Sequence, residues 1–170
     1  MNQLILSHGR ESGPNASKIT RLDELASARG LQCQRPDYGV QAEASERIAK
    51  LLTLCTTPAS SRVLAGSSMG AYISATASLQ VDVAGLFLLA PPIFFRGIEP
   101  AMRMRCAKVT IIHGWNDELI DPSEVIGFAR AYGAKLVLVN DDHRLKNSMA
   151  AIDHEFTLFL TELEFDKAAA

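Results

Sequence analysis

The chain has 170 residues, 48% of them apolar and 21% charged, the size and composition of one globular domain, which excludes disordered, low-complexity and coiled-coil classes. Lys and Arg number 17 against 19 Asp and Glu, a formal charge of -2, so no global basic field draws the protein onto nucleic acid or anionic lipid. Cys33, Cys55 and Cys106 are odd in number, far apart and form no CxxC pair, a usage that argues against a disulfide framework or a zinc site and suits a reducing cytoplasm.

Met1-Asn2-Gln3 leads into the apolar run Leu4-Ile5-Leu6, a predicted strand, without the basic segment and long apolar stretch of a signal peptide. After His8-Gly9-Arg10, a helix is predicted over Ser17–Arg29, with Ile19, Leu22, Leu25 and Ala26 on one face and Gly30 as its stop. Gln32–Gln34 reads as a short strand and Ala42–Thr56 as a second helix, with Ile48, Leu51, Leu52 and Cys55 inward. A strand over Arg62–Ala65 leads through Gly66-Ser67-Ser68-Met69-Gly70 into a helix over Ala71–Leu79, whose small residues suit close packing on a sheet. The strand Gly85–Ala90 lies in the most apolar stretch, residues 83–95, which Pro91-Pro92 interrupts and which is too short to span a bilayer. A strand over Val109–His113, a helix over Asp121–Tyr132, a strand over Lys135–Val139 and a helix over Asn147–Leu163 complete the pattern. Most of the strand runs are continuously apolar, as in strands buried on both faces. The alternation therefore predicts a single doubly wound α/β domain over residues 1–165, with about six parallel strands, and a frayed tail over 166–170.

Chemistry in open α/β sheets collects at the carboxyl ends of strands. There, Gly66-Ser67-Ser68-Met69-Gly70 is a G-x-S-x-G sequence between a predicted strand and a predicted helix, the context a nucleophile elbow requires. Ser67 does not fit the motif, because Ala65 and Met69 stand two residues to either side. A serine hydroxyl needs a base, and the base needs a group that fixes its tautomer. Asp117 follows the fifth predicted strand and His143 the sixth, in the chain order Ser, Asp, His.

At these residues the chain resembles the α/β-hydrolase superfamily, and within it the small uncapped bacterial hydrolases and esterases. The resemblance covers nearly the whole chain: the opening strand with His8-Gly9-Arg10, the elbow at Ser68, the Gly114-x-x-Asp117 turn and His143 before the last helix. It implies Ser68 as nucleophile, His143 as general base and acid, and Asp117 as the orienting carboxylate, with no cofactor and no metal. It also implies an oxyanion hole made by the backbone N–H groups of Met69 and Arg10, with Gly9 and Glu11 as alternatives to Arg10. Only residues 91–108 separate the fourth and fifth strands, too few for a cap domain, and two strands common in the family are missing before the His-Gly loop. The expected strand order is 2-1-3-4-5-6.

Other residues compete for these roles. Asp121 precedes Pro122-Ser123-Glu124 and reads as a helix N-cap. Asp141 and Asp142 stand too close to His143 in the chain to orient it and read as turn formers. His8 is expected to orient backbone, His113 to be a satisfied buried side chain, and His154 to lie on the inward face of the last helix or its flank. Phe94, Phe95 and Trp115 either line an apolar acyl pocket or pack its rim. Arg96, Arg103, Arg105 and Lys108 read as a solvated basic face in preference to an anion site.

The expected function is a serine hydrolase of a small-molecule carboxylic ester or thioester. A binding protein that keeps the fold with little turnover, an acyltransferase and a peptidase are the alternatives, and fold alone does not choose among them. No nucleic-acid partner and no membrane insertion are expected, and the oligomeric state is left open.

Overall fold

A computed structural model of the chain describes residues 1–39, 42–94 and 100–164. Phe95, Arg96 and the expected tail over 166–170 lie outside the described residues. Six strands form one sheet: β1 (Asn2–Ser7), β2 (Gln32–Gln34), β3 (Ser61–Ser67), β4 (Gly85–Leu89), β5 (Val109–Gly114) and β6 (Lys135–Val139). They are all parallel, in the order β2-β1-β3-β4-β5-β6. The helices between them are α1 (Ser17–Ser27), α2 (Ala44–Leu54), α3 (Met69–Ala77), α4 (Pro122–Tyr132) and α5 (Met149–Glu162).

The period-2 alternation of the strands divides the core in two. Ile5, Leu64, Leu86, Leu88 and Ile111 pack with Leu51 of α2, Ile73 of α3 and Val125 and Phe128 of α4. Leu4, Leu6, Val63, Phe87, Leu89 and Ile112 point to the opposite face, where Ile19 and Leu22 of α1 meet Ile152, Phe156 and Phe159 of α5. Covering both faces is what the continuously apolar strands required. The short, polar β2 closes one edge, the kind of strand that discourages edge-to-edge pairing.

Several boundaries differ from the sequence reading, and at the ends of the third and fourth strands the difference has a physical reason. The third strand runs on through Gly66 to Ser67, and α3 begins at Met69 instead of Ala71, because one residue, Ser68, makes the whole turn. The fourth strand stops at Leu89, since Ala90 turns to φ 45° and leaves the extended conformation.

After β1 the chain crosses to β2 on one side and then to β3 on the other. The carboxyl ends of β1 and β3 thus flank the point where strand order reverses, where an open α/β sheet leaves a crevice. His8-Gly9-Arg10 leaves β1 on one side of that crevice and Ser68 stands at the end of β3 on the other. No helix among the described residues is long and apolar enough to cross a membrane.

Candidate active site

Ser68 adopts φ 54°, ψ -120°, a left-handed conformation that costs a residue with a side chain of order 1–3 kcal/mol. Its surroundings hold it there. The Ser68 N–H donates to the carbonyl of Leu89 on β4, and its carbonyl accepts from the N–H groups of Ala71 and Tyr72 in the first turn of α3. The two motif glycines permit so sharp a turn because a side chain would not fit at either. A Cβ on Gly66 would overlap the Gly70 backbone, and one on Gly70 would overlap the Ser7 carbonyl of β1. Strand, turn and helix meet at backbone contact, and the Ser68 hydroxyl is thrown above the sheet.

His143 Nε2 stands 2.9 Å from Ser68 Oγ, and His143 Nδ1 stands 2.7 Å from Asp117 Oδ2. The Asp117 side chain is fully buried, and its Oδ1 accepts from the N–H groups of Leu119 and Ile120, each at 2.9 Å. Burial pushes its carboxyl up, but the hydrogen bonds from His143 and from the Ile120 and Leu119 backbone outweigh it and hold the group below its ordinary range. Asp117 therefore stays ionised and can only accept. Nδ1 of His143 must carry the proton, which leaves the Nε2 lone pair to accept from the serine hydroxyl.

The loops after β5 and β6 are knitted together, and this sets the Asp117–His143 distance. Trp115 N–H donates to Val139 O, Asn116 N–H donates to Asp141 O, and the Asn116 amide donates to Asn140. Asp141 accepts from the N–H groups of Asp142 and Asn147 and from the Ser148 hydroxyl, while Asp142 accepts from the Arg144 N–H. Both acids shape the turn that presents His143. Asp121 caps α4 by accepting from the Ser123 N–H at 2.8 Å.

Each remaining histidine has an identifiable place. His8 is fully buried. Its Nε2 accepts from the Tyr38 N–H at 3.1 Å, so Nδ1 carries the proton and donates to Gly9 O at 2.7 Å. His113 is equally buried; Nε2 donates to Ile120 O at 3.1 Å and lies 3.6 Å from Asp117 Oδ2, which makes it a neighbour of the site that its strand-end position did not reveal. It is satisfied on one side only, since its Nδ1 has no hydrogen-bond partner among the described residues. His154 is exposed on α5, a correction to its expected inward placement: it stands two residues, roughly 200° of helical rotation, from both Ile152 and Phe156.

Burial pushes His8 and His113 below the ordinary imidazole value of 6.5; Arg47 and Lys50 reinforce this at His8 and His143 at His113, while Asp37, Asp117 and Asp121 oppose it. As pH falls through about 6.5, the unfolded chain binds protons that the folded chain refuses, so stability is full above that value and is lost progressively below it. Each pK unit of depression corresponds to about 1.4 kcal/mol, or about 3–6 °C in the melting midpoint of a domain this size. Thermal scans from about pH 7.5 down to about pH 5 are expected to show a continuous fall in midpoint. A flat profile would mean that neither imidazole is buried neutral.

Two backbone segments flank Ser68, the start of α3 and the loop after β1. Met69 is the first residue of α3, a position whose N–H has no partner within the helix. Gly9 approaches from β1 so closely that a Cβ on it would stand 3.7 Å from Ser68 Cβ, and the exposed Arg10 follows it in the turn. Beneath this loop lies a residue that the sequence reading passed over. Arg47 of α2 is fully buried and donates to the backbone carbonyls of His8, Gly9 and Arg10 as well as to those of Gly39 and Ala42. An arginine one turn before Leu51 was the only signal, and the same spacing occurs on solvated helix flanks.

Phe94 and Trp115 are 63% and 54% exposed, and Leu119 is 69% exposed, so these three apolar side chains of the loops after β4 and β5 stand on the surface, while Ile93 and Ile120 of the same loops are buried. A shallow cleft of about 540 Å³ lined by residues 59–62 and 81–84 lies at the amino ends of β3 and β4, the opposite edge of the sheet from Ser68. Among the described residues no group of three His, Cys, Asp or Glu side chains is placed to hold a metal ion.

No protein-family model matches the chain, and neither does any curated protein sequence. Solved structures do. A Xanthomonas campestris pv. campestris protein whose name places it in the alpha/beta superfamily of hydrolases is 39% identical, with a TM-score of 0.89 over 95% of this chain and 99% of that one. A Xanthomonas campestris serine hydrolase described as lacking a lid is 18% identical, with a TM-score of 0.77 over 99% of this chain and 84% of its own. An esterase of Pyrococcus furiosus is 14% identical, with a TM-score of 0.80 over 95% and 82%.

Proposed function

The chain belongs to the α/β-hydrolase superfamily, and we propose that within it this protein is a serine hydrolase of small carboxylic esters or thioesters, working through an acyl-enzyme on Ser68. The observation that carries the reading is the hydrogen-bonded series Ser68 Oγ, His143 and Asp117, at 2.9 and 2.7 Å. Ser68 Oγ attacks the carbonyl carbon while its proton passes to His143 Nε2, and buried, ionised Asp117 stabilises the imidazolium through Nδ1–H. The tetrahedral oxyanion takes hydrogen bonds from the N–H groups of Met69 and Arg10. When the intermediate collapses, the bond to the leaving oxygen or sulfur breaks and His143 returns the proton to it. Water then attacks the acyl carbonyl, passing its proton to His143, and Ser68 is released with its hydroxyl restored.

The test is incubation with a fluorophosphonate followed by intact mass. One phosphonyl adduct per chain is expected, and a protein that stays unmodified while a known serine hydrolase in the same tube reacts is no serine hydrolase. The three cysteines are unpaired, and burial pushes all three thiols up from the ordinary value, which disfavours the nucleophilic thiolate and fits a reducing cytoplasm.

The uncapped fold bears on the substrate. Phe94 and Trp115 are exposed, so an acyl chain lying on them stays partly in water. Full burial of a methylene is worth about 0.8 kcal/mol, roughly fourfold in rate; an open site recovers little of it. Across aryl esters from acetyl to octanoyl, kcat/KM is expected to plateau or fall. A steady rise of several-fold per pair of methylenes would reveal a deep acyl pocket and sink the open-site reading.

A further inference from the structure

We infer that Arg47 is the positioning residue of the oxyanion-binding loop: its buried guanidinium turns the carbonyls of His8, Gly9 and Arg10 inward and so aims the N–H groups of that loop at the reacting carbonyl. The inference rests on the serine-hydrolase reading and goes beyond it, since Arg47 touches no substrate.

A guanidinium carries five N–H donors in a fixed planar fork, and all five have acceptors. Nε donates to Ala42 O at 3.1 Å; Nη1 donates to His8 O at 3.4 Å and Gly9 O at 3.2 Å; Nη2 donates to Arg10 O at 3.4 Å and Gly39 O at 2.9 Å. Every acceptor is a backbone carbonyl, and no carboxylate forms an ion pair with Arg47 among the described residues. Taking a cation out of water with only neutral acceptors is a costly way to hold a helix against a sheet. What the fork supplies in return is direction.

In a trans peptide the C=O of one residue and the N–H of the next point in opposite directions. In an extended strand successive carbonyls alternate sides; here three in a row converge on one cation, so the chain is bent around it. The N–H groups of Gly9, Arg10 and Glu11 are therefore turned to the far side of the loop, and successive N–H groups on one side of a turn make an anion-binding concavity. The peptide between Gly9 and Arg10 is held most firmly, because Gly9 O also accepts from His8 Nδ1 at 2.7 Å and from Ser12 Oγ at 3.4 Å. Its N–H is the one assigned above to the oxyanion.

The rest of the cluster braces the fork. The Tyr38 ring lies under the guanidinium, 5.5 Å from Cζ to centroid, and its hydroxyl bonds Ser7 Oγ at 2.9 Å in the last residue of β1. Tyr38 N–H meets His8 Nε2, so His8 has to be neutral for the loop to keep this shape.

The test compares Arg47→Lys and Arg47→Met with the wild-type chain. Lysine keeps the charge but its three N–H donors cannot span five carbonyls; methionine keeps the apolar stem and loses both charge and fork. Each variant is melted, then assayed on one short aryl ester, and its inhibition constant is measured for an alkyl boronic acid, which adds to a serine to give a tetrahedral anion. Removing one oxyanion donor outright costs about 10²–10³ in kcat, so a displaced donor in the folded Arg47→Lys variant is expected to lower kcat by roughly 10–100-fold. KM should stay within about twofold, and boronate affinity should weaken in parallel with kcat/KM. Methionine is expected to lose more of both. A lysine variant with unchanged kcat and boronate affinity overturns the inference, as does a loss confined to KM. So does the absence of a cooperative melt in both variants, because the cation then holds the domain and not the loop. A wild-type chain that neither turns over ester nor takes a fluorophosphonate overturns the hydrolase reading first, an outcome separable from all of these.

Discussion

Replacing Ser68 with alanine is expected to lower ester turnover by about 10³-fold or more and to abolish fluorophosphonate labelling, while the melting midpoint barely moves. The hydroxyl is the attacking atom in the proposed reaction, and its hydrogen bond in the resting protein is the one to His143 Nε2. Alanine keeps the Cβ that already occupies the left-handed turn and leaves the backbone bonds to Leu89, Ala71 and Tyr72 untouched, so nothing that holds the elbow is lost. Turnover left at the background level of the oxyanion donors is consistent with the assignment. Labelling that persists in the variant takes the nucleophile's role away from Ser68.

The second large effect separates two aspartates four residues apart. Asp117→Asn is expected to cut kcat by about 10³–10⁴ with a modest change in stability. An asparagine that keeps its oxygen on the N–H groups of Leu119 and Ile120 must turn its NH2 toward His143. A donor facing Nδ1 moves the imidazole proton to Nε2, where it meets the serine hydroxyl, and the base is lost. Asp121→Ala should do the reverse: it removes the bond to the Ser123 N–H at the start of α4, costs about 1 kcal/mol, and leaves kcat unaltered. Kinetics and thermal melts on the same two preparations decide between them. An inactive Asp121→Ala beside a normal Asp117→Asn would show that the wrong acid has been placed in the reaction.

The residues of the site divide according to how far apart in the chain their partners stand. Although Gly70 also clears the Ser7 carbonyl of a different strand, Asp121 and its cap bond to Ser123, Asp141 and Asp142 in the turn before His143, and Gly66 against Gly70 all act on residues within about seven positions. Such arrangements leave a local pattern that can be read without a fold. His113 beside Asp117 is only four residues away, yet it escaped, because whether a strand-end histidine faces the next loop or the sheet depends on how that loop folds back. Arg47 escaped for a stronger reason. Its partners at His8, Gly9 and Arg10 are 37 to 39 residues distant, and an arginine on a helix flank carries the same local signal whether it is solvated or buried.

By itself the sequence determined the architecture. Apolar runs such as Leu4-Ile5-Leu6 and Gly85–Leu89, alternating with helix-period stretches, are the pattern of parallel strands covered on both faces by helices, an arrangement that hides them while satisfying the backbone. It also determined the strand ends on which Ser68, Asp117 and His143 stand. Tertiary structure alone decided the distances: the single-residue turn at Ser68 that starts α3 two positions early, the meeting of the loops after β5 and β6 that brings Asp117 to 2.7 Å from His143, and the burial of Arg47. Periodicity reports which side of an element faces the core, whereas these features depend on how two loops from separate strands approach each other, and no window of neighbouring residues contains both.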